Sequence, residues 1–307
     1  MAHPARATEG DRLTPAEAFS IIGNETRLEI LQVLYEQQAE PPMTFSELRK
    51  RIGMRDGSQF NYHLKKLEGP FIRKTDDGYA IRIAGCHVIL TILEGTFTAN
   101  PKIAPFETGG TCVACAGALY AEYTDEMVYV SCSSCELVHA MGMFPPGAVV
   151  TRTDHEVVSA FNHRNRHSFE LSVKGMCSTC GGTVLKTLIR TFEEMEVYNQ
   201  ELAPTDFPGF DFGMRYQCAQ CNVWNYGTPG KHLLTHPAVV AFYHEHDIDL
   251  STVPFWELDW VISNQRTSIL TEAPLRVRVT IPLANEALQV TLDERFEVCA
   301  IERTATL

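Results

Sequence analysis

No long apolar run occurs in this sequence. The longest, around Val88 to Leu93, is far short of the roughly 20 residues a helix needs to cross a bilayer. Met1 to Asp11 lacks the apolar block of a signal peptide. No membrane association is therefore expected, and a cytoplasmic location is. Nucleophile–base motifs and phosphate-cradling glycine loops are also missing. His155-Glu156 opens like a zincin motif, but Ser159 stands where the second histidine ligand should fall. An enzyme is not expected. Nor is there an excess of positive charge: 26 Lys+Arg face 38 Asp+Glu, for a formal net charge of −12. A polyanion can be a partner only where cations concentrate locally.

Cysteine is present in a pattern. Eight of the ten fall in four Cys-x-x-Cys pairs: Cys112/Cys115, Cys132/Cys135, Cys177/Cys180 and Cys218/Cys221. Two pairs make one tetrahedral thiolate site, so the expectation is two structural Zn2+ ions per chain. Two disulfides per cluster, or buried free thiols, are the alternatives. A reducing compartment and a spacing repeated four times favour zinc. Sixteen residues separate the first two pairs and thirty-seven the last two, spans that a strand hairpin can close. Gly117, Gly181-Gly182 and Asn222 are predicted to supply positive φ in the turns. Four sulfurs leave the metal no open position, so these sites should not catalyse.

The cations concentrate near the N-terminus, where residues 44–74 hold eight basic and three acidic residues, or +5. Thr14-Pro15-Ala16-Glu17 is a capping box with proline at the first helical position, predicting a short helix that ends at Gly23. Asn24 caps a second helix with Leu28, Leu31, Leu34 and Tyr35 at core spacing. Thr44-Phe45-Ser46-Glu47 is a second capping box, and Gly53 stops that helix. From about Ser58 to Leu67, Phe60, Leu64 and Leu67 form one buried stripe. Ser58, Gln59, Asn61, Tyr62, Lys65 and Lys66 lie on or beside the opposite face, and such side chains suit base edges and phosphates. Phe71–Thr75 and Tyr79–Ile83 read as strands turned by Asp76-Asp77-Gly78, decorated by Arg73, Lys74 and Arg82. Helices followed by a basic hairpin make a winged helix-turn-helix, with Arg73 and Lys74 on the DNA backbone.

Asn24 to Ile83 resembles the ArsR-like winged-helix regulators of prokaryotes. The resemblance rests on Asn24-Glu25-Thr26-Arg27-Leu28-Glu29-Ile30-Leu31, on Phe45-Ser46-Glu47-Leu48, and on Asn61-Tyr62-His63-Leu64-Lys65-Lys66-Leu67. It implies a homodimer packed through the helix after Thr14 and the one from about Ala84 to Phe97. The family's metalloid sensors carry a cysteine pair in the helix before recognition. Thr44 to Ile52 has none, so metalloid sensing there is not expected, and Cys86 reads as a small core residue. With two four-cysteine modules behind this head, the layout is similar to archaeal winged-helix regulators, those of halophiles in particular.

Past each cysteine module a pattern returns. Pro146-Gly147 precedes His155-Glu156-Val157-Val158-Ser159-Ala160-Phe161-Asn162-His163, and Pro229-Gly230 precedes His236-Pro237-Ala238-Val239-Val240-Ala241-Phe242-Tyr243-His244. A duplicated ribbon-plus-helix unit is the economical reading, its helices capped by Thr153 and Thr235 and packing Val-Val and Phe on the ribbon. Histidines such as His163, His167, His244 and His246 read as surface residues rather than a further metal site. Glu193, Glu194, Glu196, Glu201, Asp206 and Asp211 make the second module repel phosphate. Trp224, Tyr226 and Trp256 read as core filling. Leu275–Ile281, Leu288–Leu292 and Phe296–Ile301 alternate as strands of an antiparallel sheet, and Cys299 on the last of them has no evident chemical role.

The expected fold is α+β: a winged helix-turn-helix over residues 12–98, zinc ribbon modules over 107–172 and 173–254, and a β-sheet tail over 255–307. The expected function is a homodimeric regulator binding double-stranded DNA, its ribbons a scaffold and platform for a protein partner or effector. Two other readings stand beside it: a polymerase-associated general factor resembling archaeal initiation factor E, and a thiol or metal sensor using the ribbon cysteines.

Overall fold

The computed structural model describes residues 13–190 and 212–305, so the acidic run from Glu193 to Asp211 lies outside the described residues. The chain forms two compact units with the break between Ala99 and Asn100.

The first unit is helical with one hairpin. α1 (Pro15–Ile22) opens on the Thr14/Glu17 capping box, α2 (Glu25–Glu36) on the Asn24 side chain, and α3 (Phe45–Ile52) on the Thr44/Glu47 box. Gly53 ends α3 with φ 74°, a conformation that suits glycine. Four residues later α4 (Gly57–Leu67) begins. Its cap is Asp56, which the sequence reading missed; Asp56 Oδ1 accepts from the Ser58 and Gln59 amides. β1 (Ile72–Thr75) and β2 (Gly78–Ile81) pair antiparallel, and α5 (Ile83–Leu93) closes the unit. Three expectations change here. Gly78 starts β2 rather than ending the turn, because its bare backbone lies against the Met43 carbonyl, where Met43 pairs with Tyr79. Ile83 begins α5 instead of finishing a strand. Arg82, expected on the hairpin face, precedes α5 and donates to the Gly69 carbonyl. Phe60, Leu64 and Leu67 are fully buried, in one core with Ile30, Leu31, Leu34, Leu48 and Ile72.

The second unit is mixed α+β. Strands β3 (Ile103–Thr111), β4 (Ala118–Thr124), β5 (Met127–Cys132) and β6 (Val138–Met143) form one antiparallel sheet in sequential order. α6 (Pro146–Val149) and the 20-residue α7 (Asp154–Val173) follow. β7 (Val184–Ile189), β8 (Gly213–Cys218) and β9 (Trp224–Gly227) make a three-stranded sheet, followed by α8 (Pro229–Leu233) and α9 (Pro237–His244). A 3₁₀ turn (Phe255–Glu257) and α10 (Asp259–Ile262) lead to a four-stranded meander: β10 (Thr267–Glu272), β11 (Leu275–Leu283), β12 (Glu286–Asp293) and β13 (Val298–Ala305). Phe296, expected at a strand start, sits fully buried in the turn before β13 with φ 59°.

The internal repeat is visible in strand register. Leu119 pairs with Cys132, and Val184 with Cys218; each partner lies four residues after the second cysteine of the preceding pair. Val128 opposite Gly142 is matched by Met214 opposite Gly227. The repeat is not two free-standing modules, because one continuous core runs through both sheets, α7, α9, the segment Phe255–Ile262 and the inner face of β11 and β12. α7 serves both halves. Its Phe161 packs on Gly142 and its Phe169, two turns later, on Gly227, where a side chain on either glycine would strike the ring. Val157, Val158 and Phe161 are buried as expected. On α9 Val239 and Phe242 are buried, but Val240 is exposed. The cap of α9 is His236 rather than Thr235, since Pro237 must take the first helical position, and His236 Nδ1 accepts from the Ala238 amide.

Candidate metal centres and candidate nucleic-acid interface

The eight paired cysteines converge in two groups, Cys112/Cys115/Cys132/Cys135 and Cys177/Cys180/Cys218/Cys221, in each of which all sulfurs lie within 4.8 Å of one another. Across the pairs, Cys112–Cys135 and Cys115–Cys132 Sγ are 3.7 and 3.4 Å apart, and Cys177–Cys221 and Cys180–Cys218 are 3.6 and 3.5 Å. These gaps exceed the roughly 2.05 Å of a disulfide. They approach the edge of a tetrahedron of sulfurs about 2.3 Å from a central ion, which is about 3.8 Å. Either group could hold a metal ion.

Four near-identical turns build the groups. In each, the amide four residues after the first cysteine donates to that cysteine's carbonyl: Ala116 to Cys112, Glu136 to Cys132, Gly181 to Cys177, Asn222 to Cys218. Each of those four residues has φ between 58° and 72°. The left-handed position is thus the residue directly after the second cysteine. Gly181 and Asn222 fill it as expected, whereas Gly117 does not; its neighbour Ala116 does. Glu136 was missed because glutamate rarely adopts that conformation. Gly117 and its counterpart Gly182 serve close approach instead. A Cβ on Gly117 would lie 2.6 Å from Ser134 Oγ and 3.0 Å from Cys132 Sγ, and one on Gly182 3.1 Å from Cys218 Sγ.

The first cysteine of each pair is buried and the second lies at the surface. Each buried sulfur accepts a backbone amide two residues on, from Ala114, Ser134, Thr179 and Gln220, at 3.3 to 3.4 Å. These amides favour thiolate, the form that binds metal. At Cys218 the Cys221 and Gln220 amides pull the thiol down to about 6. At Cys132 burial pushes upward, yet the Cys135 and Ser134 amides prevail and it also falls to about 6.

Sequence reading missed one residue beside the first group. His139 is 4% exposed, with Nδ1 3.0 Å from the Trp256 carbonyl and Nε2 3.2 Å from Cys112 Sγ. A carbonyl only accepts, so Nδ1 donates. Burial holds this imidazole below its ordinary range, with the Trp256 carbonyl acting the other way. In the second half Tyr216 faces Asn225 where Val130 faces Ala140, and His139 falls at a register shift of β6 that β9 lacks; Asn225 donates to Ser172 Oγ. His139→Leu should lower the stability of the second unit by about 1–3 kcal/mol, because the carbonyl loses its donor inside the core. Thermal melting followed by tryptophan fluorescence would measure this. The other histidines stand apart from the sulfurs: His163 and His167 are exposed, and His246 Nε2 lies 3.2 Å from Glu286.

In the first unit, Ser58, Gln59, Tyr62, Lys65 and Lys66 on α4 are exposed and Asn61 is half-buried, while Arg73 and Lys74 are exposed on β1. Tyr62 is 54% exposed with Lys66 Nζ 5.7 Å from its ring centre. His63 is buried among them, its imidazole pushed down by burial and then by the Arg27 charge. Of the aromatics expected as core filling in the second unit, Trp256 is buried and stacks on Phe161 with centroids 5.9 Å apart. Trp224 and Tyr226 are half-buried and edge to face at 4.8 Å. Cys86 is half-buried and Cys299 exposed.

Over residues 109–298, more than half its length, the chain belongs to the family described as a domain of unknown function, DUF7351. A second domain of unknown function, DUF7347, matches residues 15–92. No curated protein and no solved structure matches the chain. Among the described residues no helix is long and apolar enough to cross a membrane.

Proposed function

We propose that this protein is a homodimeric, DNA-binding transcriptional regulator whose second unit is held in shape by two structural zinc ions. One observation carries the DNA reading. α4 buries Phe60, Leu64 and Leu67 completely and turns Ser58, Gln59, Tyr62, Lys65 and Lys66 to solvent. Two short helices joined by four residues and followed by a hairpin bearing exposed Arg73 and Lys74 match the layout of a winged helix-turn-helix. α4 then enters the major groove, and the hairpin meets phosphate. The local +5 of residues 44–74 suits a polyanion although the whole chain is acidic. Apolar side chains left at the surface support dimerisation through α1 and α5: Phe19, Ile83, Leu90 and Leu93, with Phe97 just beyond.

Zinc is favoured by the donor set, since tetrahedral groups of four sulfurs suit zinc or iron–sulfur chemistry and neither group includes an oxygen or nitrogen ligand. When bound, the ion would supply cross-linking rather than chemistry, as all four positions are filled by protein. Elemental analysis should return two zinc ions per chain.

Selection of bound duplexes from a random pool tests the regulator reading and yields the operator. With that operator, Tyr62→Ala should weaken binding about tenfold or more, and Lys65→Ala should reduce the salt slope by about 1. Both should alter stability by no more than about 0.5 kcal/mol, because both side chains are exposed. An unenriched pool, or variants that bind as well as wild type, would overturn the reading.

A further inference from the structure

The hairpin of the first unit carries its charges in two zones. Cations occupy the base. Arg73 and Lys74 are exposed on β1, and Lys65 and Lys66 fill the last turn of α4, from which the hairpin springs. The Phe71 amide donates to the Leu67 carbonyl at 3.0 Å, so β1 starts directly off the end of that helix. The tip is acidic. Asp76 and Asp77 are the two residues between β1 and β2, and both are exposed. Among the described residues neither carboxylate has an ion pair or a hydrogen bond. The +5 of residues 44–74 falls to +3 when the count runs on to residue 77, since the two charges it adds are these aspartates.

The rest of the unit fixes where that tip points. Met43, just ahead of α3, donates to the Tyr79 carbonyl at 3.0 Å, and the Tyr79 amide donates back at 2.8 Å. Gly78 lies bare against the Met43 carbonyl, and Tyr79 is buried in one core with Leu64, Leu67 and Ile72. Thr75 Oγ1 donates to the Gly78 carbonyl at 3.1 Å and closes the turn. Asp76 follows Arg73 by three residues, roughly 10 Å of strand. That is close to the Debye length of about 8–10 Å, so a phosphate held by Arg73 still feels the tip. A narrow minor groove attracts the cationic side chains inserted into it. Two carboxylates on a fixed turn carry the opposite sign.

We infer that, on the duplex DNA of the regulator reading on which this inference rests, the hairpin touches phosphate only at its base. Asp76 and Asp77 hold its tip out of the minor groove, and base sequence is read by α4 in the major groove alone. The aspartates are a repulsive element that limits the backbone affinity any duplex would share.

The probe is the operator selected from a random pool, with A·T pairs built into its flanks and the full chain bound. Dimethyl sulfate methylates guanine N7 in the major groove and adenine N3 in the minor groove. Wild-type protein should protect guanine N7 under α4 and leave adenine N3 in the adjoining minor groove reactive. Asp76→Asn combined with Asp77→Asn removes both charges and keeps residues suited to a turn. This double variant should melt with wild type and bind operator and unrelated duplex about threefold more tightly, or better, at low salt. The gain should shrink as salt rises. Protection of adenine N3 beside the α4 site in the wild-type complex would overturn the inference, as would a double variant no tighter than wild type at low salt. The methylation pattern needs no variant, so it decides even if the substitutions disturb the turn. An unenriched pool removes the regulator reading as well, whereas the other two adverse results remove this inference alone.

Discussion

Removing metal with a strong chelator should unfold the second unit and leave α1 to α5 helical. Structural zinc contributes on the order of 10 kcal/mol to folding at neutral pH, comparable to the roughly 5–15 kcal/mol total stability of an ordinary domain. The two sulfur groups sit in one continuous core with β11, β12 and Trp256, so neither can melt in isolation. The first unit has a separate core containing no sulfur group, which is why its helices should survive. All three tryptophans, Trp224, Trp256 and Trp260, belong to the second unit. Near-ultraviolet dichroism should therefore collapse while much of the far-ultraviolet helical signal remains. Cys218→Ser should reproduce the effect and lower bound zinc by at least one ion per chain. A metal-free protein that keeps its tryptophan signal, or a Cys218→Ser variant retaining two ions, would refute the assignment of these groups.

Gly230→Ala should destabilise the second unit by about 3 kcal/mol or more, a size reserved for core disruption. Gly230 is buried at the start of α8, and a Cβ there would fall inside the Trp260 carbonyl. That carbonyl cannot retreat cheaply. Trp260 is 1% exposed, its indole donates to Tyr243 Oη at 2.9 Å, and Val261 beside it accepts from Thr228 Oγ1. Gly175→Ala is the control, because its φ of 84° strains any side chain but nothing lies within reach of the new methyl. It should cost only about 1–2 kcal/mol. Thermal melts of the two variants side by side separate steric overlap from backbone strain; an undamaged Gly230→Ala would contradict the packing described.

What could be read beforehand was whatever depends on near neighbours. The Thr14/Glu17 and Thr44/Glu47 boxes and the Asn24 cap fix helix starts through contacts three residues apart, and all three appear as expected. The alternation of Leu275–Ile281 gives a strand because its period matches the pleat, and β11 buries every second residue. Cysteine spacing likewise implied the two sulfur groups. Failures came where a distant partner decided. His139 gave no sequence signal, because its partners, the Trp256 carbonyl and Cys112 Sγ, are remote in sequence. Gly117 looked like a turn residue, and its real reason is Cys132 Sγ on the opposing turn. Lys231 carried no sequence signal, because nothing local says that Phe169 and Phe255 will bracket it.

By itself the sequence determined the caps of α1, α2 and α3, the strand periods, the two groups of four cysteines and the local surplus of cations, since each follows from short-range geometry or plain counting. Only the tertiary structure decided that α7 serves both halves of the repeat, that His139 joins the first sulfur group to the Trp256 segment, and that two aromatic rings bracket Lys231. Those facts depend on which surfaces meet after the chain collapses, and burial against remote partners leaves no mark on spacing.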